Sequence, residues 1–188
     1  MIADKSKFSC IILAGGRGRR MGGQDKGLLD YNHNTLISYV IAAVQPQTDE
    51  IIISANRNIE RYRCYTDQVI SDTLEGYQGP LAGLQACLTH CKHEWVFVAP
   101  CDMPFLNTAV FQKLAAMDDN RKIYIAAINE KLQPVFLLQR SLYTSIQSAL
   151  DEGELRLMRW ITSLNPGIIH FTENRIFSNF NTREKYGF

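Results

Sequence analysis

The sequence predicts one α/β domain, in which helices cover both faces of a mostly parallel sheet and a small antiparallel hairpin is added. Two apolar runs, Phe8 to Leu13 and Trp95 to Ala99, lack polar alternation, which is typical of strands buried on both faces. Segments with strand and helix patterns alternate through the first half of the chain, as they do in βαβ units. The length of 188 residues, without repeats or linkers, fits a single domain over residues 1–188.

Each element of the first half follows from a local pattern. Apolar and β-branched runs predict strands at Phe8 to Leu13, Glu50 to Ile53, Val69 to Ile70 and Trp95 to Ala99. Helices are predicted at Leu36 to Val44, Tyr62 to Tyr65 and Pro80 to about Cys91. Pro46 ends the first of these helices, and Pro80 starts the third, because proline is tolerated in a first helical turn.

The second half begins with a predicted helix that Asn107 or Thr108 caps and that runs to Met117. Two strands follow, and the short polar turn between them predicts a hairpin. Its strands are Lys122 to Ile128 and Gln133 to Leu138. The last predicted elements are helices at Ser141 to Leu150 and Leu155 to Ser163, a strand at Ile168 to Phe171 and a candidate strand at Ser178 to Asn181.

The composition argues against several functional classes. Twenty basic and 19 acidic side chains give a net charge of +1, which excludes a generally basic nucleic-acid binder. No run of 18 apolar residues occurs and the N-terminus is polar, so we expect a cytoplasmic protein without a membrane span. Five cysteines, an odd number, fit reduced thiols. Cys87 and Cys91, close to His90 and His93, would share a helix face, and we interpret them as core residues rather than as metal ligands.

A glycine-rich segment from Gly15 to Lys26 follows the first predicted strand. It has five glycines within positions 15–23, four basic residues and one acid, Asp25. Glycines let the backbone approach a ligand with its N–H groups, and this charge balance suits a polyphosphate. No Gly-Lys pair is followed by Ser or Thr, which excludes a P-loop. We therefore predict a phosphate-binding loop of another kind.

Further polar segments follow other predicted strands, where ligands bind in open α/β sheets. They are Ser54 to Arg57, Asp72 to Gly83 and Cys101–Asp102.

The glycine-rich segment resembles the loop L-A-G-G-x-x-x-R-M-G-x-x-K-x-x-L of nucleotidyltransferases with a Rossmann-like N-terminal half. Later segments narrow the resemblance to the molybdenum cofactor guanylyltransferase family, and together they span residues 8–185. The matching segments are Asp25-Lys26-Gly27, Asp72 to Gly83 (DTLEGYQGPLAG), Pro100 to Pro104 (PCDMP) and Asn179 to Thr182 (NFNT).

The resemblance implies a three-layer Rossmann-like fold that transfers GMP from GTP to molybdopterin phosphate and releases pyrophosphate, with Mg²⁺ as cofactor. It implies that Asp102 holds the metal, and that Lys26 and Arg20 act on the GTP phosphates. The nucleotide-binding residues implied are Leu13, Ala14, Gly15, Gly16, Lys26, Ser54, Asp72, Gly79 and Asp102. Asp72 would bind either the guanine edge or the ribose. GTP, molybdopterin, other cofactor-biosynthesis proteins and acceptor molybdoenzymes are the implied partners.

The C-terminal half would bind molybdopterin, and the N-terminal half GTP. The implied molybdopterin residues are Gln133, Pro134, Arg156, Asn179 and Asn181. The family pattern Asn-Ala-Asn-Arg stands here as Ser54-Ala55-Asn56-Arg57, so either Ser54 or Asn56 could take the nucleotide-binding role of the first asparagine.

Three alternatives stay open at this stage. A cytidylyltransferase for the same cofactor would share the loop and differ in base preference. A sugar-phosphate nucleotidyltransferase usually needs an additional domain, for which the chain leaves little room. A nucleotide-binding regulatory module without catalysis is the third, and the presence of Lys26 and Asp102 argues against it.

Overall fold

The structure is a computed structural model, and it describes residues 8–16, 24–72, 79–117 and 120–180. Nine strands and six α-helices are found in these ranges. The strands are β1 (Phe8–Leu13), β2 (Asp30–Tyr31), β3 (Asn34–Thr35), β4 (Glu50–Ser54), β5 (Val69–Ile70), β6 (Trp95–Pro100), β7 (Ile123–Ile128), β8 (Lys131–Gln139) and β9 (Gly167–Phe171). The helices are α1 (Leu36–Val44), α2 (Ile59–Tyr62), α3 (Pro80–Leu88), α4 (Thr108–Ala115), α5 (Tyr143–Asp151) and α6 (Leu157–Ser163).

Seven strands form one sheet in the order β5-β4-β1-β6-β8-β7-β9. Every neighbouring pair is parallel except those of β8, which runs antiparallel to both β6 and β7. This confirms the predicted α/β class, the mostly parallel sheet and the antiparallel hairpin. In the register, Leu13 is level with Ser54 on one side and with Pro100 on the other. The carboxyl ends of β1, β4 and β6 therefore meet at one edge of the sheet.

Two hydrophobic cores lie on opposite faces of the sheet. Cys10 and Ile12 of β1 belong to one core, which contains Ile37 of α1 and Phe111 of α4. Ile11 belongs to the other core, together with residues of α3, α5 and α6. Since both faces of β1 are buried, every position favours an apolar side chain, which explains the run without alternation.

Some predicted boundaries were wrong. The helix predicted at Tyr62 to Tyr65 overlaps α2 only at Tyr62, because α2 begins at Ile59, directly after Asn58 with a φ of 52°. The third helix ends at Leu88 and not near Cys91. Ser178 to Phe180 do not form a strand; they follow a 3₁₀ turn, and the N–H of Phe180 bonds to the backbone oxygen of Asp102 at 3.0 Å. Asn107 caps α4 as predicted, since its side chain accepts a bond from the N–H of Val110.

The small hairpin of β2 and β3 was not predicted. Its two-residue turn, Asn32–His33, has positive φ at both positions, as a type I′ turn requires. Strands of two residues carry too little pattern to be recognised in a sequence.

Pro134 lies within β8, although proline cannot donate to a sheet ladder. The register between β7 and β8 shifts here: Ile125 pairs with Phe136, whereas Ala127 pairs with Leu132. The additional residues on β8 form a bulge, which is where a central strand tolerates proline.

The two cysteines of the cysteine and histidine segment lie in the hydrophobic core. Cys87 and Cys91 are buried, and burial raises the pKa of each thiol to about 12. His93 contacts Asp49 at 2.7 Å, and no group of three potential ligands occurs within residues 8–16, 24–72, 79–117 and 120–180. Nor does any helix in those ranges have the length and hydropathy that a membrane crossing needs.

The buried carboxylate of Glu50, at the start of β4, forms hydrogen bonds to residues near the amino ends of β1 and β6. Glu50 accepts hydrogen bonds from Ser9 Oγ, from the backbone N–H of Lys92 at 2.8 Å and from Gln68 Nε2 at 3.3 Å. Burial by itself would raise the pKa of Glu50, but these hydrogen bonds outweigh it and hold the pKa below its usual value. The ionised form of Glu50 is therefore bound more favourably in the folded state than in the unfolded chain.

We expect Glu50→Gln to lower the free energy of unfolding at pH 7 by about 1–3 kcal/mol, because the amide turns a donor toward buried donors. Since the folded pKa is depressed, the stabilisation is present above the unfolded pKa, about 4.3, and is lost as the pH falls through the folded value. The difference in the free energy of unfolding between wild type and Glu50→Gln should therefore become smaller below about pH 4. Urea unfolding across pH checks this, with exposed Glu60→Gln as the matched control. A difference in unfolding free energy that stays constant down to pH 3 would contradict this role of the Glu50 carboxylate.

Candidate functional site

The carboxyl ends of β1, β4 and β6 continue to pair for one residue beyond the strands. The N–H of Ala14 bonds to Ser54 O at 2.8 Å, and the N–H of Cys101 bonds to Leu13 O at 3.1 Å. These bonds fix the start of the glycine-rich segment between the segments that follow β4 and β6. The polar segments are thus held at one edge of the sheet, as predicted.

Lys26 and Asp102 meet at this edge. Lys26 opens a short 3₁₀ turn, Lys26–Leu28, and Asp102 lies two residues beyond β6. Lys26 Nζ is 3.1 Å from Asp102 Oδ2, and the side chains keep 27% and 11% of their surface exposed. The site therefore presents a cation and a carboxylate side by side, both reachable from solvent.

Asn56 and Asp72 form a second polar pair. Asn56 Nδ2 donates to Asp72 Oδ2 at 2.7 Å, and the N–H of Asp72 donates to Asn56 Oδ1 at 3.0 Å. A methyl group at Gly15 would lie 3.4 Å from Asn56 Nδ2, so the amide lies against the glycine-rich segment. Gly15 does not have a positive φ, and a methyl group there would be in ordinary contact with Asn56.

Ser54 lies beneath this pair, in the packing of β4 against α3. Only 3% of its surface is exposed. A methyl group at Gly83 would overlap Ser54 Oγ, so Gly83 gives space to that hydroxyl. Of the two candidates in the Ser54–Arg57 segment, Asn56 contacts Asp72 and Gly15, whereas Ser54 is enclosed. The nucleotide contact of either residue stays a prediction.

Gly79 precedes α3 with a φ of 88°, a backbone conformation that side chains disfavour. A methyl group there would lie 3.3 Å from the backbone oxygen of Leu155. The segment before α6 therefore lies against the start of α3.

Arg156 belongs to that same segment. Its Nε is 3.2 Å from Glu154 Oε1, and Arg159 Nε is 3.0 Å from Glu154 Oε2. The hydrogen bond from the backbone N–H of Arg156, with the two guanidinium groups, lowers the pKa of Glu154. The Arg156 side chain is 69% exposed and so can reach an anion in solution.

Gln133 and Pro134 lie on β8, the strand next to β6 on the side away from β1. The pairing of β6 with β8 ends at Val98 and Phe136, so both residues lie beyond that paired part of β8, toward the bulge. Gln133 is largely buried, and its Nε2 donates to Lys131 O at 2.9 Å. Asn179 is adjacent to Phe180, whose N–H bonds to Asp102 O. The chain at Asn179 is thus tied to the backbone of Asp102 and Gln133 and Pro134 lie on the strand beside β6, whereas the segment of Arg156 lies beside α3.

Two predicted site residues, Arg20 and Asn181, lie outside the described residues. Sequence reasoning also missed the hydrogen bonds that Asp25 forms with Tyr62 and Asn58 next to the site. Asp25 is buried and accepts hydrogen bonds from Tyr62 Oη and from Asn58 Nδ2. The signal for it was its position directly before Lys26, as the single acid of a basic segment.

The donor set at Asp102 fits Mg²⁺. This ion prefers oxygen ligands and usually takes one or two carboxylates, with phosphate oxygens and waters completing its shell. Asp102 offers one partly exposed carboxylate, and the described ranges contain no cluster of three ligands that would bind a metal by protein groups alone. A cation here would therefore depend on a phosphate-bearing substrate for most of its ligands.

Comparisons with known proteins identify the family and the fold. The family model of the MobA-like NTP transferase domain matches residues 10–166. A molybdenum cofactor guanylyltransferase of Shewanella halifaxensis is 37% identical over 96% of this chain and 92% of its own length. Another, of Yersinia pestis, is 39% identical over 92% of this chain and 89% of its own length. A crystal structure of molybdopterin-guanine dinucleotide biosynthesis protein A from Archaeoglobus fulgidus superposes with a TM-score of 0.73 over 95% of this chain and 94% of that one, and at 21% identity it shows the shared fold.

Proposed function

The chain belongs to the MobA-like NTP transferase family, and we propose that it is the nucleotidyltransferase that transfers GMP from GTP to the phosphate of molybdopterin. The pairing of Lys26 with Asp102 at the carboxyl edge of the sheet supports this proposal, because a cation for the phosphates and a carboxylate able to hold Mg²⁺ lie side by side. The names of relatives that match nearly the full chain support guanine as the base.

In the proposed reaction, an oxygen of the molybdopterin phosphate attacks the α-phosphorus of GTP, and pyrophosphate leaves. Such transfers need little covalent chemistry from the protein, which instead positions the reactants and stabilises charge. Lys26 binds phosphate oxygens and neutralises their charge, and the backbone at Gly15 and Gly16 approaches the triphosphate. Mg²⁺, held by Asp102 and phosphate oxygens, would supply further charge neutralisation at the α-phosphate.

The two substrates would approach Asp102 from opposite sides. Asn56, Asp72 and Gly79 lie on the side of β4 and α3, which suits GTP, and Leu13 and Ala14 lie between the ends of β4 and β6. Gln133 and Pro134 lie on β8, on the other side of β6, which suits molybdopterin, and the chain at Asn179 is tied to the backbone of Asp102. The segment of Arg156 lies against the start of α3, on the GTP side, although the resemblance assigns Arg156 to molybdopterin; its exposed side chain can reach an anionic group of either substrate. Under this proposal the chain works in the cytoplasm and passes its product to other biosynthesis proteins or to molybdoenzymes.

The base preference is the test that separates this function from the alternatives. We expect GTP with Mg²⁺ to raise the melting temperature more than CTP or ATP, and molybdopterin to release pyrophosphate from GTP. A preference for CTP would favour the cytidylyltransferase. Transfer of the nucleotide to a sugar phosphate would favour the sugar-phosphate nucleotidyltransferase. Nucleotide binding without any transfer would favour the regulatory module.

Asp72→Asn extends this test to base recognition. If Asp72 accepts from the guanine edge, its loss costs about 1–3 kcal/mol, or roughly ten- to a hundredfold in GTP affinity with little change for ATP. If Asp72 binds ribose, affinity should fall equally for every nucleotide. Calorimetry with GTP, ITP and ATP distinguishes the two, and an unchanged profile would remove Asp72 from the nucleotide site.

A further inference from the structure

Arg57 lies at the two ends of the glycine-rich segment. Its Nη2 donates to the backbone oxygen of Gly16 at 3.2 Å and to that of Gln24 at 2.9 Å. These two carbonyls come directly before and after residues 17–23, so one guanidinium nitrogen holds both ends of that segment. The residue comes from the segment after β4, more than 30 positions away in the sequence.

The Arg57 guanidinium also forms an ion pair with Asp25, the residue before Lys26. Arg57 Nε is 3.7 Å from Asp25 Oδ2, which also accepts a hydrogen bond from Asn58 Nδ2 at 3.0 Å. Asp25 Oδ1 accepts from Tyr62 Oη. The Asp25 carboxylate is therefore bound by three side chains from α2 and the residues just before it.

Lys26 is fixed from its other side by close packing at Gly27. A methyl group on Gly27 would lie 2.6 Å from Tyr62 Oη and 3.2 Å from Cys101 Cβ. Because Asp25 is bound and Gly27 is tightly packed, the backbone of Lys26 has little freedom to move. Its Nζ is consequently directed to Asp102, the residue next to Cys101.

We propose that Arg57 is a positioning residue: it holds Gly16 and Gln24 in place and, through Asp25, sets Lys26 against Asp102. The expected effect of Arg57 on GMP transfer rests on the proposed function. Its effect on the positions of Gly16, Gln24 and Lys26 does not. It assigns Arg57 no contact with the reacting phosphates. Arginine suits the task because its planar group presents several N–H donors in fixed directions, which lysine cannot do.

Replacement of Arg57 by lysine distinguishes positioning from charge. If Arg57 attracted phosphates by its charge, Arg57→Lys would keep most of the activity. If Arg57 bridges two carbonyls and a carboxylate, Arg57→Lys and Arg57→Gln should both lower kcat/KM, by up to about a hundredfold, since small misplacements of catalytic groups have effects of that size. Exposed Arg61→Gln, in the helix α2 that follows Arg57, is the matched control and should leave kcat/KM unchanged. Near-normal kcat/KM in Arg57→Lys would overturn the proposal.

A measurement without substrate separates this inference from the proposed function. Trypsin can cut after Arg17, Arg19 and Arg20, between the two carbonyls that Arg57 holds. We expect Arg57→Gln and Arg57→Lys to be cut there roughly fivefold faster than wild type, because loss of the bonds to Gly16 and Gln24 releases the two residues that flank these cleavage sites. Arg61→Gln should be cut at the wild-type rate, and equal rates in all four proteins would overturn the proposal even if GMP transfer is confirmed.

Tyr62→Phe provides a variant that keeps Arg57 and the packing of the ring. It removes one donor from Asp25, so it should change trypsin cleavage and kcat/KM in the same direction as Arg57→Gln, but by less. Thermal unfolding of each variant shows whether it is folded at the assay temperature. A folded Tyr62→Phe with wild-type cleavage and wild-type kcat/KM would overturn the role of Asp25.

Discussion

Asp102→Ala should remove most of the transfer activity and leave a folded protein. We expect the turnover number to fall roughly a thousandfold, because a metal at a reacting phosphate stabilises the transition state by several kcal/mol and each 1.36 kcal/mol is tenfold in rate. The fold should persist, since the bond from the N–H of Phe180 goes to the backbone oxygen of Asp102 and not to its side chain. Steady-state kinetics at several Mg²⁺ concentrations and thermal unfolding measure both effects.

Asp102→Asn isolates the charge from the shape of the side chain. The amide keeps the size of the carboxylate but has no negative charge, so we expect its turnover to be nearly as low, with a higher Mg²⁺ requirement. Asp151→Asn, at the exposed end of α5, is the matched control and should behave as wild type. A folded Asp102→Ala with near-normal turnover would exclude Asp102 as the metal ligand.

Lys26→Ala should weaken GTP binding and slow the transfer. Loss of one preorganised donor to developing charge typically lowers the rate about a hundred- to a thousandfold, and we expect a change of that size in kcat/KM. The exposed residue Lys122, before β7 at the opposite edge of the sheet, provides the control Lys122→Ala. Calorimetric titration with GTP and steady-state kinetics separate the loss of binding from the loss of rate.

The contact between Lys26 and Asp102 allows a stricter test. Residues that touch and act on the same group give non-additive effects when both are replaced. The double variant should therefore lose less than the product of the two single losses. Strictly multiplicative losses, or wild-type binding of GTP by Lys26→Ala, would mean that the two residues do not act on the same phosphates.

The fold class could be predicted because its signals are local. β1 and β6 are mostly apolar and do not alternate, since both of their faces are covered, and the turn Asn129–Glu130 between β7 and β8 is polar with positive φ. The order of strands could not be predicted in the same way. A hairpin pattern shows that β7 and β8 pair, but not that β8 inserts beside β6, because that choice depends on contacts between distant segments.

The candidate site was predictable in its residues and less so in its contacts. Lys26 and Asp102 were both expected at the carboxyl edge of the sheet, and the structure places them 3.1 Å apart. The choice between Ser54 and Asn56 depended on α3, because packing against Gly83 encloses the serine hydroxyl. Nothing near Arg57 in the sequence indicates that it bonds to Gly16 and Gln24.

The sequence by itself determined the α/β class, the family and the edge of the sheet where its polar segments collect, because apolar runs, glycines and motif residues act within a few positions of the chain. Only the tertiary structure decided that Asn56 contacts Asp72, and that Arg57 and Asp25 lie behind Lys26. These contacts join segments far apart in the chain. They form only when β1, β4 and β6 align in register, which the packing of helices on both faces of the sheet brings about.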